Sequence, residues 1–303
     1  MKNITNDLPF NNLVDVIMYF SDKQVCKDYL AKIRWGSQIV CPHCSHDGKI
    51  YKMKTSYKCS KCRKPFSVTK GTIFENSPIP LQKWFMAIWL ITSHKKGISS
   101  MQLHRDLGIT QKSAWFLLQR VRSAIINNSL DTPLNGIVEV DETYIGGKGG
   151  KEKNTQGRSL KTKKPVLGLV ERGGRIIAMK VDNTTKSVLL PIIKENVSND
   201  VELITDGWRS YSTLGDTHKH TVVKHNKNHY TYGEAHTNTI EGFWSLLKRG
   251  IVGIYHSISE KHMNYYINEF NYRYNTRELT SVERFNDMLG ISECRTTYRD
   301  LVA

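Results

Sequence analysis

Two sets of residues in this chain have the types and spacing to do chemistry. The first is Cys41-Pro-His-Cys44 and Cys59-Ser-Lys-Cys62, two CxxC pairs with 14 residues between them. A CxxC turn brings two thiolates onto one tetrahedral Zn2+, and two such turns close a structural site. Disulfides are the rival reading, which an intracellular chain disfavours; redox chemistry would need only one pair. His43 and His46 lie nearby, but four cysteines already fill the shell. Cys26 and Cys294 are expected to be ordinary buried thiols. The second set is acidic. Ile137-Val138-Glu139-Val140-Asp141 and Val201-Glu202-Leu203-Ile204-Thr205-Asp206 are β runs ending in aspartate. Glu241 sits at the edge of a helical stripe formed by Ile240, Phe243, Trp244 and Leu247, with Ser245 and Lys248 following it on one side. Carboxylates at the ends of adjacent strands converge, and a helix laid across the sheet adds a third. Such a cluster repels itself unless a cation sits in it. Two hard cations roughly 4 Å apart, held by shared carboxylates, activate an attacking oxygen and stabilise a leaving one. In-line displacement at a phosphodiester requires both.

Several elements must position these side chains. Residues 11–35 read as two short helices, with Leu13, Val16, Ile17 and Phe20, then Val25, Tyr29, Leu30 and Ile33, as their apolar positions. The cysteine segment runs from Cys41 to about Thr72 and is crowded with cations, among them Lys58, Lys61, Arg63 and Lys64, which are expected to grip phosphates. Glu75–Pro80 is a linker by its turn-forming residues. A helical block follows from Leu81 to about Ile126. Ser99-Ser100-Met101-Gln102 resembles a capping box, Gly108 supplies a turn and Thr110 can cap the next helix. There Ala114, Leu118, Val121 and Ile125 should face the core, leaving Gln111, Lys112, Gln119 and Arg122 to reach a major groove. A plain three-helix bundle is the alternative to this helix-turn-helix.

From Ile137 short β runs alternate with helices: strands at Val166–Val170 and Ile176–Val181, a crossover helix at Ser187–Asn196, and a short strand near Thr221–Val223. Gly146–Lys164 reads as a mobile basic loop. Three strands, a helix, a parallel strand and a carboxylate-bearing helix are the order of an RNase H-like fold. The expected fold class is therefore multidomain α+β. N-terminal helices and the zinc ribbon occupy 1–74, the helix-turn-helix 81–130, the RNase H-like α/β catalytic domain 136–280 and a C-terminal tail 281–303. Glu269 and Arg273 stand at i, i+4 and are expected to pair. Glu139, Glu142, Asp182, Asp200 and Asp216 read as ordinary strand-edge and loop charges, and His225, His229 and His256 have no assigned role.

Charge points the same way. The net charge is +16, and residues 1–130 hold 20 basic against 7 acidic side chains, so most of the excess is front-loaded. A surface that meets a polyanion has that distribution; a solubility device would spread it. A solvated basic face is the bland alternative. Hydrophobic residues at 39% indicate globular domains, and no apolar run approaches the roughly 20 residues of a membrane-spanning helix. The first ten residues lack a signal-peptide layout, so an intracellular, cytoplasmic and nucleoid-associated protein with no membrane partner is expected.

The segments Val140-Asp141-Glu142-Thr143-Tyr144-Ile145-Gly146-Gly147, Asp206-Gly207-Trp208, His236 through Trp244 to Lys248-Arg249-Gly250, and Asn268-Glu269-Phe270-Asn271-Tyr272-Arg273-Tyr274-Asn275 resemble bacterial insertion-sequence transposases. The similar group is the zinc-ribbon, ISXO-type family related to Merlin elements, and with the ribbon and Gly71-Thr72-Ile73-Phe74 the likeness spans nearly the whole chain. The resemblance implies a DDE-type site in which Asp141 and Asp206 match the two aspartates and Glu241, with 34 residues between it and Asp206, matches the third acid. Asn238 and His236 lie close by as the other residue types found in the third position. Lys248 matches the basic residue set near the substrate phosphate, and Arg249 beside it is taken as a DNA contact. Two Mg2+ (or Mn2+) ions, structural Zn2+, double-stranded DNA at element ends and target, and a homodimer or larger assembly on DNA follow as expectations. A nuclease of the same fold without strand joining, and a DNA-binding regulator derived from a transposase, are the alternatives.

Overall fold

Asn12 and Asp22 each stand one residue ahead of an apolar helical repeat, and each caps it. In the computed structural model, which describes residues 9–127, 132–146, 163–223 and 236–302, Asn12 accepts from the N–H of Asp15 at the start of α1 (Leu13–Tyr19). Asp22 accepts from the N–H of Gln24 at the start of α2 (Lys23–Trp35), which stops at Gly36 with φ 60°. Next comes a three-stranded antiparallel sheet of β1 (Ile50–Lys52), β2 (Tyr57–Cys59) and β3 (Pro65–Phe66). Its apolar cover is the aromatic trio Trp35, Tyr57 and Phe66, with ring centroids 5.2–6.0 Å apart. So small a sheet needs further support.

Capping also sets the helical block. Ser99 accepts from the N–H of Gln102 at 3.0 Å, ahead of α4 (Ser100–Leu107), which follows the apolar α3 (Leu81–Ser93). Gly108 takes the left-handed conformation, φ 57°, that lets the chain turn at the end of α4. Thr110 accepts from the N–H of Ser113 at 3.1 Å as α5 (Gln111–Asn127) begins. Every residue of α5 from Leu117 to Ile125 is buried.

The next stretch builds a five-stranded sheet from β4 (Ile137–Ile145), β5 (Lys164–Glu171), β6 (Ile176–Lys180), β7 (Glu202–Asp206) and β8 (Lys219–Val223), in the order β6-β5-β4-β7-β8. The first three pair antiparallel, while β7 and β8 run parallel to β4. Period-2 alternation sorts the side chains of β4. Val138 and Val140 join a core with Leu189 and Ile193 of α6 (Lys186–Asn196). The opposite face meets α7 (Asn238–Gly250) and α8 (Met263–Asn275), which bury Ile240, Phe243, Trp244, Leu247, Ile267 and Phe270 against Val166, Val170 and Ala178. On α8, Arg273 pairs with Glu269 at 2.5 Å, as its i, i+4 spacing predicts.

Residues 281–303, expected as a tail, instead hold α9 (Ser281–Gly290) and α10 (Tyr298–Val302). Thr280 and Glu283 form a reciprocal capping box on α9. Phe285 enters a ring cluster with Phe10, Phe20, Phe85 and Trp89, at centroid distances of 5.7–5.9 Å. The chain thus divides into two units, Met1–Asn128 with Glu278–Ala303, and Ser129–Arg277. Among the described residues no helix is long and apolar enough to cross a membrane. The basic loop expected over Gly146–Lys164, and His225 and His229, lie largely or wholly outside the described residues.

Candidate active site and metal centre

The cysteines come together first. Cys41 Sγ lies 3.7 Å from Cys62 Sγ, and Cys44 Sγ lies 3.7 Å from Cys59 Sγ. All four sulfurs are within 4.8 Å of one another. A tetrahedron with Zn–S of about 2.3 Å has S···S edges of about 3.8 Å, so the donor set fits one zinc ion. A disulfide would need about 2.05 Å, and all four thiols are free. Each CxxC turn is followed by a residue in the left-handed region, Ser45 at φ 53° and Arg63 at φ 58°, so the two knuckles repeat one backbone course. Burial alone would raise the Cys59 thiol, but the N–H groups of Cys62 and Lys61 and the neighbouring sulfurs bring it down to about 7.

The carboxylates are brought to one end of the sheet by strand register. Val140 pairs with Thr205 across the parallel β4/β7 ladder, so Asp141 and Asp206 occupy the next rung on adjacent strands. β4 does not end at Asp141 but continues to Ile145. Trp244 of α7 donates from Nε1 to Asp141 Oδ2 at 2.9 Å. Asp206 Oδ1 accepts from the N–H of Trp208 at 2.9 Å, and Glu241 Oε1 accepts from Thr237 Oγ1 at 2.9 Å. Burial, helped by the charges of Asp206 and Glu241, pushes Asp141 up to about 6 against the Trp244 hydrogen bond. Among the described residues only the four cysteines form a group of three or more donors gathered closely enough to hold an ion. The three acids each lean on a donor of their own, while Asp141 still feels the charges of Asp206 and Glu241. Mutually repelling, partly solvated carboxylates are the donors that a hard divalent cation relieves, so the residue types fit such an ion.

Four residues at this site were not read as functional from sequence. Glu142 is pushed up to about 7 by burial, and its carboxylate accepts from the hydroxyl of Tyr211, which is itself buried just after Asp206. Gly168 pairs with Asp141 across β4/β5. A Cβ there would lie 2.6 Å from Cζ2 and Cη2 of Trp244, the ring that holds Asp141. Gly168→Ala is therefore expected to cost about 1–3 kcal/mol by overpacking, read as a lowered melting temperature. An unchanged melting temperature would show that the indole is not seated on this glycine. Glu139 is the fourth. It is fully buried and accepts from Arg172 and from the first turn of α7, so it is no strand-edge charge.

Lys248 and Ser245 are exposed along the same side of α7 as Glu241, with Arg249 exposed beside them. Lys58, Lys61, Arg63 and Lys64 are exposed on the small sheet and its turns, and Gln111 and Lys112 at the start of α5. Gln119 and Arg122 are corrected: they are 0% and 2% exposed and cannot lie on an outward face of α5. The reason lies far along the chain. Arg120 Nε donates to the carbonyl of Thr296, Ser123 meets the Thr296 hydroxyl at 2.7 Å, and Tyr298 packs on Phe116. That segment lies on the Phe116, Arg120 and Ser123 face of α5, opposite the core face of Ala114, Leu118 and Val121.

The model of the ISXO2-like transposase domain matches residues 133–275, and that of the transposase zinc-ribbon domain matches residues 21–65. The chain is 29% identical over 279 residues to an uncharacterized protein in transposable element ISH50 of Halobacterium salinarum, covering 85% of this chain and 92% of that protein. It is 31% identical over 108 residues to an uncharacterized transposase-like protein of Haemophilus influenzae, covering 35% of this chain and 86% of that one. Against a pre-cleavage Mos1 transpososome the overlay covers 96% of this chain and 100% of the other at 11% identity. The TM-score is 0.26. With both domains matched in order and relatives spanned over most of their length, the chain belongs to the ISXO2-like transposase family.

Proposed function

We propose that this transposase binds the inverted-repeat ends of an insertion sequence and carries out DNA strand cleavage and strand transfer at Asp141, Asp206 and Glu241. The observation that carries the reading is the β4/β7 register, which sets two aspartates side by side, with the Glu241 charge acting on the first. The strand order and directions support an RNase H-like sheet. The Ser99 and Thr110 caps around Gly108 support a helix-turn-helix in α3–α5. The three acids would hold Mg2+, with Mn2+ as substitute, which when bound supplies Lewis-acid stabilisation of phosphoryl oxygens during in-line displacement. Glu241 is preferred over Asn238 and His236 as the third ligand because it is exposed and its charge reaches Asp141. Lys248 and Arg249, exposed on the same helix, orient the phosphate and offset its charge. Trp244 holds the Asp141 carboxylate in place through its N–H. No side chain need bond covalently to DNA, since water or a 3′-OH is the nucleophile.

The exposed cations of the ribbon and the start of α5 are the proposed grip on DNA. Two element ends need two sites, so a dimer or larger assembly forms on DNA. The test supplies pre-cut ends and scores their insertion into a plasmid. Joined products are expected, and they should vanish with Asp141→Asn. Cutting without joining would leave a nuclease, and end binding with neither would leave a DNA-binding regulator.

A further inference from the structure

Glu139 is 0% exposed, and a buried carboxylate is costly unless its oxygens are fully met. They are met by one cation and by the start of one helix. Arg172 Nε donates at 2.8 Å and Thr239 Oγ1 at 2.8 Å, while the backbone N–H groups of Thr239 and Ile240 donate at 2.9 and 3.0 Å. His236 Nδ1 stands 3.2 Å from the same carboxylate. The two N–H groups belong to the first turn of α7, where a helix has no internal acceptors and its dipole favours an anion. Thr237, the residue before α7, makes no side-chain capping bond. The cap comes instead from β4, about 100 residues earlier in the chain. Arg172 reinforces it by donating from Nη2 to the carbonyl of His236 at 2.8 Å.

The placement of this clamp gives it a role. Glu139 is two residues before Asp141 and shares its face of β4; Ile240, whose N–H it takes, immediately precedes Glu241. One side chain therefore ties the strand of the first proposed ligand to the helix turn of the third. From this we infer that Glu139 is a positioning residue that sets where Glu241 stands relative to Asp141, acting through α7. With every oxygen engaged and no solvent exposure, it is not itself a ligand. The inference rests on the reading of Asp141 and Glu241 as cation-holding residues.

The test is Mn2+ titration of full-length, zinc-loaded protein, following the free-ion signal by electron paramagnetic resonance. Glu139→Gln keeps the shape but leaves one acceptor oxygen and no charge, so it cannot serve both the α7 N–H pair on Oε2 and the Arg172 and Thr239 donors on Oε1. Loss of such a supporting partner is expected to weaken Mn2+ binding by about 10–100-fold. Strand cleavage should fall with it and recover in part at high Mn2+. A lowered melting temperature with unchanged Mn2+ affinity would overturn the inference, because a merely structural clamp gives that result. If Glu139→Gln does not fold, Arg172→Gln serves, with several-fold weaker Mn2+ binding expected and unchanged binding overturning the proposal. Asp141→Asn separates the two claims. Normal Mn2+ binding in that variant sinks the cation site itself, whereas loss there with normal binding in Glu139→Gln sinks only the positioning role.

Discussion

Asp141→Asn is expected to lower strand cleavage and joining by about 10^3-fold or more while leaving end binding within a few-fold of the parent. The substitution keeps size and shape, so the Trp244 ring keeps its seat; what goes is the negative charge. End binding should survive because most of the proposed DNA contacts, Lys58, Lys61, Arg63, Lys64, Gln111 and Lys112, lie in the other unit, and Lys248 and Arg249 keep their charge. Gel shift on an end sequence and product counting with cut and uncut substrates measure both halves. Cleavage within tenfold of the parent would remove Asp141 from the chemistry. A stability signature accompanies the loss. Burial lifts the Asp141 carboxyl from 3.8 to about 6, so the native state binds the proton more tightly than the unfolded chain does. That group favours folding below its ordinary range, and the benefit is lost as pH rises through about 6. Asparagine removes the penalty, so in zinc-loaded protein without added Mg2+ or Mn2+ the variant should gain more melting temperature over the parent at pH 8 than at pH 5.

Removing zinc, or replacing Cys59 by serine, is expected to unfold the small sheet and leave the second unit standing. Zinc binding at four thiolates is worth about 10–16 kcal/mol in small ribbons and is there the folding energy itself. β1 to β3 offer little to replace it, since half of their residues are exposed and their cover is three rings. Hydrogen exchange after chelation should show protection lost over residues 41–66 and kept over β4, β5 and β7. End binding should fall with the ribbon. Persistent protection at Tyr57–Phe66 in metal-free protein would mean that the aromatic cover suffices.

Local signals carried much of this into the sequence. The CxxC spacing, the Ser99 and Thr110 caps, the turn at Gly108 and the β runs that carry Asp141 and Asp206 all act within a few residues, though β4 runs on past Asp141 to Ile145. What stayed hidden depends on partners far along the chain. Glu139, Asp141 and Glu142 are three acids in four positions, and nothing local tells a helix clamp from a cation ligand from a tyrosine-bound carboxylate. Their fates are decided by Ile240, Trp244 and Tyr211. Gln119 and Arg122 lie on the polar side of a helical wheel, yet α5 is overlaid by the segment around Thr296 and Tyr298. α9 did have a local signature: Thr280 with Glu283, then Phe285, Met288 and Leu289 at helical spacing.

The return of that last helix has a consequence for biogenesis. The sheet-bearing unit is one unbroken run, so synthesis delivers all of it before the last segment of the other unit is made. The ring cluster begun by Phe10 must wait for Phe285, made only after that run. On this order of events the sheet-bearing unit matures before the ring cluster that closes the other unit, so a half-made polypeptide carries one finished unit and one open one.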